Sequence, residues 1–165
     1  MTWDAYNRRQ HTVREVHRIA DRRRDGVLPW NAVDISAFAG PDELLFDLQM
    51  HWHQRLSGNL ERAMTTQDSD LETAAVRAWR DTRADLPGAR AILDAYDGDP
   101  VLAKARAKDM STLAHAAGLA PLDHPRGVAA GKRLRDEADA IVIDRLAPHK
   151  DDGSWLGRLR GLVPA

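Results

Sequence analysis

The sequence predicts an all-α, single-domain bundle of about six helices, and three observations carry that expectation. Helix starts punctuate the chain: Pro41 with Asp42 and Glu43 behind it, the Ser69-x-x-Glu72 capping pattern, and the Asp99-Pro100 pair. Between these starts, apolar residues recur at three- and four-residue steps, the period of a helix face. No stretch has a partner strand; the β-branched run Ile141-Val142-Ile143 stands alone.

Each element follows from its own residues. The first helix spans roughly Trp3 to Arg24, with Tyr6, Val13, Val16 and Ala20 on one face and Arg14, Arg18 and Arg22 in a stripe elsewhere. Gly26 ends it, and residues 27 to 40 read as a loop or short helical turn. The second helix is the run from Pro41 to Met64. Leu45, Leu48, Trp52, Leu56, Leu60 and Ala63 form its buried side, and Ser57-Gly58 could loosen its middle, since Gly costs about 1 kcal/mol there. The third helix starts at the Ser69 cap and ends near Asp85. A short fourth helix runs from Pro87 through Tyr96. The fifth runs from Asp99-Pro100 until Gly118 closes it. After the connector 120–125, the sixth helix spans about Pro125 to Ala147, with Leu134, Ala138, Ile141, Val142 and Leu146 on its apolar side. The bundle domain is residues 1–150, and 151–165 reads as a small basic amphipathic tail containing Trp155 and Leu159.

Composition narrows the chemistry. The chain has 165 residues, 43% hydrophobic and 30% charged, with no Cys. That excludes disulfides, thiolate nucleophiles and Cys-based metal sites. The first residues lack an apolar signal region and no segment reaches the length of a membrane span, so a soluble cytoplasmic protein without membrane attachment is expected. Between Arg8 and Arg24, seven Arg stand against Glu15 and Asp21, a net +5 that leaves −6 for the rest of the chain. A basic helix on an acidic body can meet nucleic acid, an acidic protein, or its own acidic surface.

Reactive templates are sparse. The Gly-x-Ser-x-Gly, Gly-x-Gly-x-x-Gly, Gly-x-x-x-x-Gly-Lys and His-Glu-x-x-His patterns are all missing. His51-Trp52-His53 resembles a metal pair, but residues two apart on a helix point about 200° apart, so a shared ion is not expected. His51 joins Glu43, Asp47 and Arg55 in an i, i+4 stripe, read first as a solvated ion-pair row. Asp109 falls among Leu102, Ala105, Leu113 and Ala116 and is expected half-buried, neutralised by a neighbouring Arg or Lys. Met50, His53, Trp79 and Met110 are the candidate walls of a pocket between the second, third and fifth helices, against the simpler reading of closed core.

From Phe38 to about Leu119 the order of features resembles the regulatory domain of TetR-type transcription factors. Phe38-Ala-Gly-Pro-Asp-Glu-Leu-Leu45 is similar to that family's junction after its DNA-reading helix. Arg55-Leu56, Ala78-Trp79-Arg80, Leu86-Pro87-Gly88, Asp99-Pro100-Val101-Leu102 and Ala116-Ala-Gly-Leu119 resemble its following helices. The resemblance covers about half the chain. Only Gly26 to Ala39 separates the first helix from the junction, too short for two further helices and a turn, so the DNA-reading head is truncated or remade. Together with a composition rich in Ala, Arg and Asp, which suits a bacterial source, the resemblance implies a ligand- or protein-binding homodimer with no sequence-specific operator.

The functional expectation is a non-enzymatic helical binding or regulatory protein, without cofactor or metal. It takes a small apolar ligand at Met50, His53, Trp79 and Met110, and dimerises through Leu134, Ile141, Val142 and Leu146. One alternative is a small helical enzyme or metalloprotein using His51 or His53 with Asp47. Another is an adaptor that holds a larger protein assembly through Arg14, Arg18 and Arg22 or through the tail at Trp155 and Leu159.

Overall fold

The computed structural model describes residues 3–65, 70–122 and 124–146, with side chains described as far as residue 140. Six helices and no strand occur among the described residues. They are α1 (Trp3–Arg23), α2 (Pro41–Met64), α3 (Leu71–Asp85), α4 (Pro87–Ala95), α5 (Ala103–Ala116) and α6 (Pro125–Leu146). Among the described residues 24–40, the one helical element is a 3-10 turn at Trp30–Ala32, so no helix-turn-helix intervenes between α1 and α2.

The second helix is the spine. It packs against α3 and α5 and also touches α1 and α4, while α6 lies across α5 and α3. Leu44, Leu45, Leu48, Trp52, Leu56, Leu60 and Ala63 are all buried along it, which is the expected stripe with Leu44 added. At about 1.5–3 kcal/mol for each large apolar side chain, this one face is a main source of cohesion. Its start is held by Glu43, whose Oε2 accepts from the Ala39 N–H at 2.7 Å. Ser57-Gly58 does not interrupt it; the helix continues unbroken to Met64.

Two close approaches set how the other helices cross. A Cβ on Gly88 would lie 2.2 Å from the Ala20 carbonyl carbon, and one on Gly131 would lie 1.9 Å from the Met110 carbonyl oxygen. Glycine therefore lets α4 touch the backbone of α1, and lets α6 touch that of α5. The Gly88 N–H also donates to Asp21 Oδ1 at 2.9 Å, joining α4 to α1.

Several expectations are refined. The third helix is capped by Asp70: its Oδ1 accepts from the Thr73 N–H at 2.9 Å and its Oδ2 from the Thr73 hydroxyl at 2.7 Å. Asp70 rather than Ser69 is thus the N-cap, and Ser69 lies outside the described residues. Asp99 caps as expected, but the turn Pro100–Leu102 is 3-10 before the α-helix begins at Ala103. Gly118 adopts φ +71° and closes α5, with the Leu119 N–H reaching back to the Ala114 carbonyl at 2.9 Å. Tyr6 is exposed rather than in the core face of α1, stacked against exposed Trp3 with ring centroids 6.0 Å apart. No described helix is long and apolar enough to cross a membrane.

Candidate functional site

His51 and His53 leave α2 in opposite directions, as their spacing requires, and each reaches a different site. His53 turns toward α5. Its Nδ1 lies 2.6 Å from Asp109 Oδ1, and Gln49, one turn earlier on the same face, donates Nε2–H to Asp109 Oδ2 at 2.6 Å. Asp109 is 2% exposed and Gln49 fully buried. Burial pushes the Asp109 carboxyl above its usual range, and the contacts with His53 and Gln49 oppose that push. With Asp109 ionised, Nδ1 is the donor, because a carboxylate only accepts. The second ring nitrogen is thereby set as the ring's other polar contact.

His53, held from behind by Asp109, borders an apolar groove of about 320 Å³ between α2 and α5. Phe46, Met50 and His53 line one side; Lys104, Ala105 and Lys108 line the other. The expected pocket is thus partly rebuilt. Met50 and His53 do share a groove, but Trp79 and Met110 do not line it. Trp79 is 1% exposed, packed edge-on against Trp52 with centroids 5.1 Å apart, and its Nε1–H donates to Asp139 Oδ1 at 3.2 Å. Met110 is buried where α6 crosses α5. Both are core. Asp109 is more deeply buried than expected, and its partners are an imidazole and an amide rather than Arg or Lys.

On the opposite side of α2, His51 faces α1. Its ring centroid lies 5.5 Å from that of His17, tilted by 32°. The two border a cleft of about 370 Å³ with Gln54, Arg55, Gly58, Arg62 and Leu86. Both ring nitrogens of His17 are buried and lack a hydrogen-bond partner among the described residues. Burial first, and neighbouring His51 second, lower the His17 pKa to about 4. Burial also lowers that of His51, against the attraction of Asp47.

The expected ion-pair row on α2 is instead a clamp between helices. Arg9 of α1 donates to Asp47 through Nε and Nη2, and through Nη1 to Glu43 at 2.5 Å. Its guanidinium also lies 4.6 Å from the centre of the Phe38 ring. Asp47 is therefore Arg9's acceptor and not the orienting acid of His53; Asp109 is. Among the described residues no three His, Asp or Glu side chains gather as a metal site.

The remaining expected positions are placed as follows. Arg14, Arg18 and Arg22 form an exposed stripe on α1, with Arg18 paired to Glu15. Leu134 is fully buried within its own bundle, so it turns inward and is not offered to a second subunit. Ile141, Val142 and Leu146 lie on α6 beyond the described side chains, and Trp155 and Leu159 lie outside the described residues.

Sequence reading missed Arg90. It is 5% exposed, with its guanidinium 4.7 Å from the Trp52 ring centre and 5.7 Å from that of Trp79, and it pairs with Asp94 at 2.8 Å. The signal was present: Leu86, Arg90 and Leu93 share a helix face, so an Arg interrupts an otherwise apolar stripe. Neither a family model nor a curated protein nor a solved structure matches this chain.

Proposed function

We propose that this protein is a helical binding protein that takes a small amphipathic acid, an apolar body bearing a carboxylate, in the groove between α2 and α5. The His53–Asp109 pair carries the reading. Burying a carboxylate in an apolar interior is costly unless it is hydrogen-bonded, and this one is spent on orienting a side chain at the groove wall. Phe46, Met50 and Ala105 suit the apolar body. Lys104 and Lys108 supply the complementary charge for the carboxylate, His53 presents its second ring nitrogen as a polar point on the wall, and the volume lies at the small end of ligand pockets. In this reading the protein works by binding, as a regulatory domain without a DNA-reading head would, and as a homodimer joined through α6 beyond Leu134.

Methyl-labelled methionine separates the groove from the core, since Met50 lines the groove and Met110 does not. Titration with octanoate should shift the Met50 signal saturably and leave Met110 in place. Ala105→Trp, which fills the groove, should remove the shift. Parallel movement of both signals, or none at millimolar octanoate, would refute the site. Light scattering at micromolar concentration checks the dimer; a monomeric mass would refute it.

A second reading has an observation of its own. An imidazole held by a buried acid is also the geometry of a general base. Turnover of a groove-bound ester that disappears in Asp109→Asn would favour this enzyme over the binding protein.

A further inference from the structure

We propose that the cleft between α1 and α2, on the far side of α2 from the groove, binds a small phosphate-bearing anion. Among the described residues, the charged side chains lining it are both cationic, Arg55 and Arg62, and no carboxylate lines it. Two imidazoles and the Gln54 amide complete the polar wall.

The arrangement follows from helix period. His51, Arg55, Gly58 and Arg62 are separated by four, three and four residues, so they lie along one face of α2 with a gap in the middle. Gly58 is that gap: a Cβ there would meet nothing within 4 Å among the described residues. The cleft thus owes part of its space to a residue that no packing contact requires. In an exposed helix interior Gly costs about 1 kcal/mol relative to Ala, so the space comes at the expense of stability.

His17 supplies the independent sign of a ligand. Both of its ring nitrogens are buried without partners among the described residues, and buried polar atoms are ordinarily hydrogen-bonded. An anion seated between the two imidazoles and the two guanidinium groups would give the imidazoles an acceptor. Among the described residues, Arg55 is tied by a long 3.6 Å ion pair to Asp85, which a better acceptor can replace. Guanidinium forks match phosphate oxygens two at a time. Three terminal oxygens can meet donors arriving from two helices, which a planar carboxylate cannot do equally well. A divalent metal is the rival occupant of a His pair, but two guanidinium groups at the wall repel it.

The probe is inorganic phosphate, read through the histidine side-chain signals of the intact chain at constant ionic strength set with chloride. His17 and His51 should shift saturably, while His53, on the other face of α2, should not. Arg55→Gln and Arg62→Gln should each weaken phosphate about tenfold or more, as loss of a charge-assisted hydrogen bond does. Gly58→Phe should abolish the shifts by filling the cleft, and Gly58→Ala, which shows that the position tolerates a side chain, should retain them. The proposal is overturned if phosphate shifts nothing, if chloride alone reproduces the effect, or if Gly58→Phe still responds. It is equally overturned if Zn(II) saturates the two histidines and phosphate does not.

Discussion

Replacing His17 by Leu should remove most of the bundle's sensitivity to mild acid. The His17 ring is held near a pKa of about 4, chiefly by burial, whereas an unfolded chain protonates histidine near 6.5. The groups that face it are His51 from α2, which disfavours its charge, and Asp21 from its own helix, which favours it. Because the folded value lies below the unfolded one, the unfolded chain takes up the proton first as pH falls. Stability is therefore full above about pH 6.5 and is lost between there and pH 4. Two and a half units correspond to about 3 kcal/mol by pH 4, a substantial share of the stability of a small domain. Urea denaturation followed by circular dichroism from pH 7 to 4, in chloride rather than phosphate, measures it for both proteins. Other groups titrate in both, so the difference between the curves isolates His17. At pH 7 the Leu variant should match or exceed the native chain, because two buried nitrogens without partners among the described residues are gone. If the two curves stay parallel within about 0.5 kcal/mol across this range, which is well under the expected difference, His17 is not held neutral by the fold and the reasoning fails.

Three further outcomes follow from single contacts. Gly88→Ala and Gly131→Ala place a Cβ into backbone atoms at 2.2 and 1.9 Å; each should cost about 3 kcal/mol or more, while Gly58→Ala should stabilise by up to about 1 kcal/mol. Thermal melts rank the three, and a neutral Gly131→Ala would mean that α5 and α6 do not approach as closely as described. Arg90→Ala should cost about 2–4 kcal/mol through lost packing against two Trp rings, and Arg90→Met should recover most of it; chemical denaturation showing equal losses would assign the energy to the charge instead. For Asp109→Asn, burial holds the folded carboxyl above its unfolded pKa. The native chain should therefore weaken relative to the variant as pH rises from about 4, and a gap that widens in the native chain's favour would contradict this.

Helix existence was legible because its signals are local. Pro41, Asp99 and Gly118 act within one turn, and the apolar stripe of α2 can be counted along the chain. Even the one displaced cap, Asp70 for Ser69, moved the start of α3 by a single position. The polar interior was not legible, because its partners are distant in sequence. His53 and Asp109 are separated by 56 residues, and Arg9 and Asp47 by 38. Periodicity places each of these on a face, but it does not say which two faces will meet. Asp109 could be flagged as an acid on an apolar face, and its expected neutraliser was Arg or Lys. Its partners proved to be Gln49 and the imidazole of His53, which the same reading had placed on a pocket wall. Arg90 failed for a related reason: a charged residue in a short apolar stripe looks like an interruption until two Trp rings on other helices enclose it.

These separate features converge on α2, which divides the molecule into two chemically different halves. A step of two residues sends His51 toward α1 and His53 toward α5. On the α5 side, a buried acid fixes the imidazole beside a groove of Phe46 and Met50. On the α1 side, the imidazole meets a second imidazole and two guanidinium groups, with a glycine holding space among them. Between the two lies Trp52, fully buried, so neither site opens through the helix to the other. Coupling between the sites would have to pass through movement of α2 as a body. The Arg9 clamp on Glu43 and Asp47 resists that movement near the helix start, since it ties α1 to the first two turns. Arg9→Met keeps the packing against Phe38 and removes the clamp. If α2 carries a signal between its two faces, that substitution should leave octanoate and phosphate each bound, while changing how strongly one affects the other. Thermodynamic reciprocity makes the check internal: the two coupling factors, measured in either order, must agree.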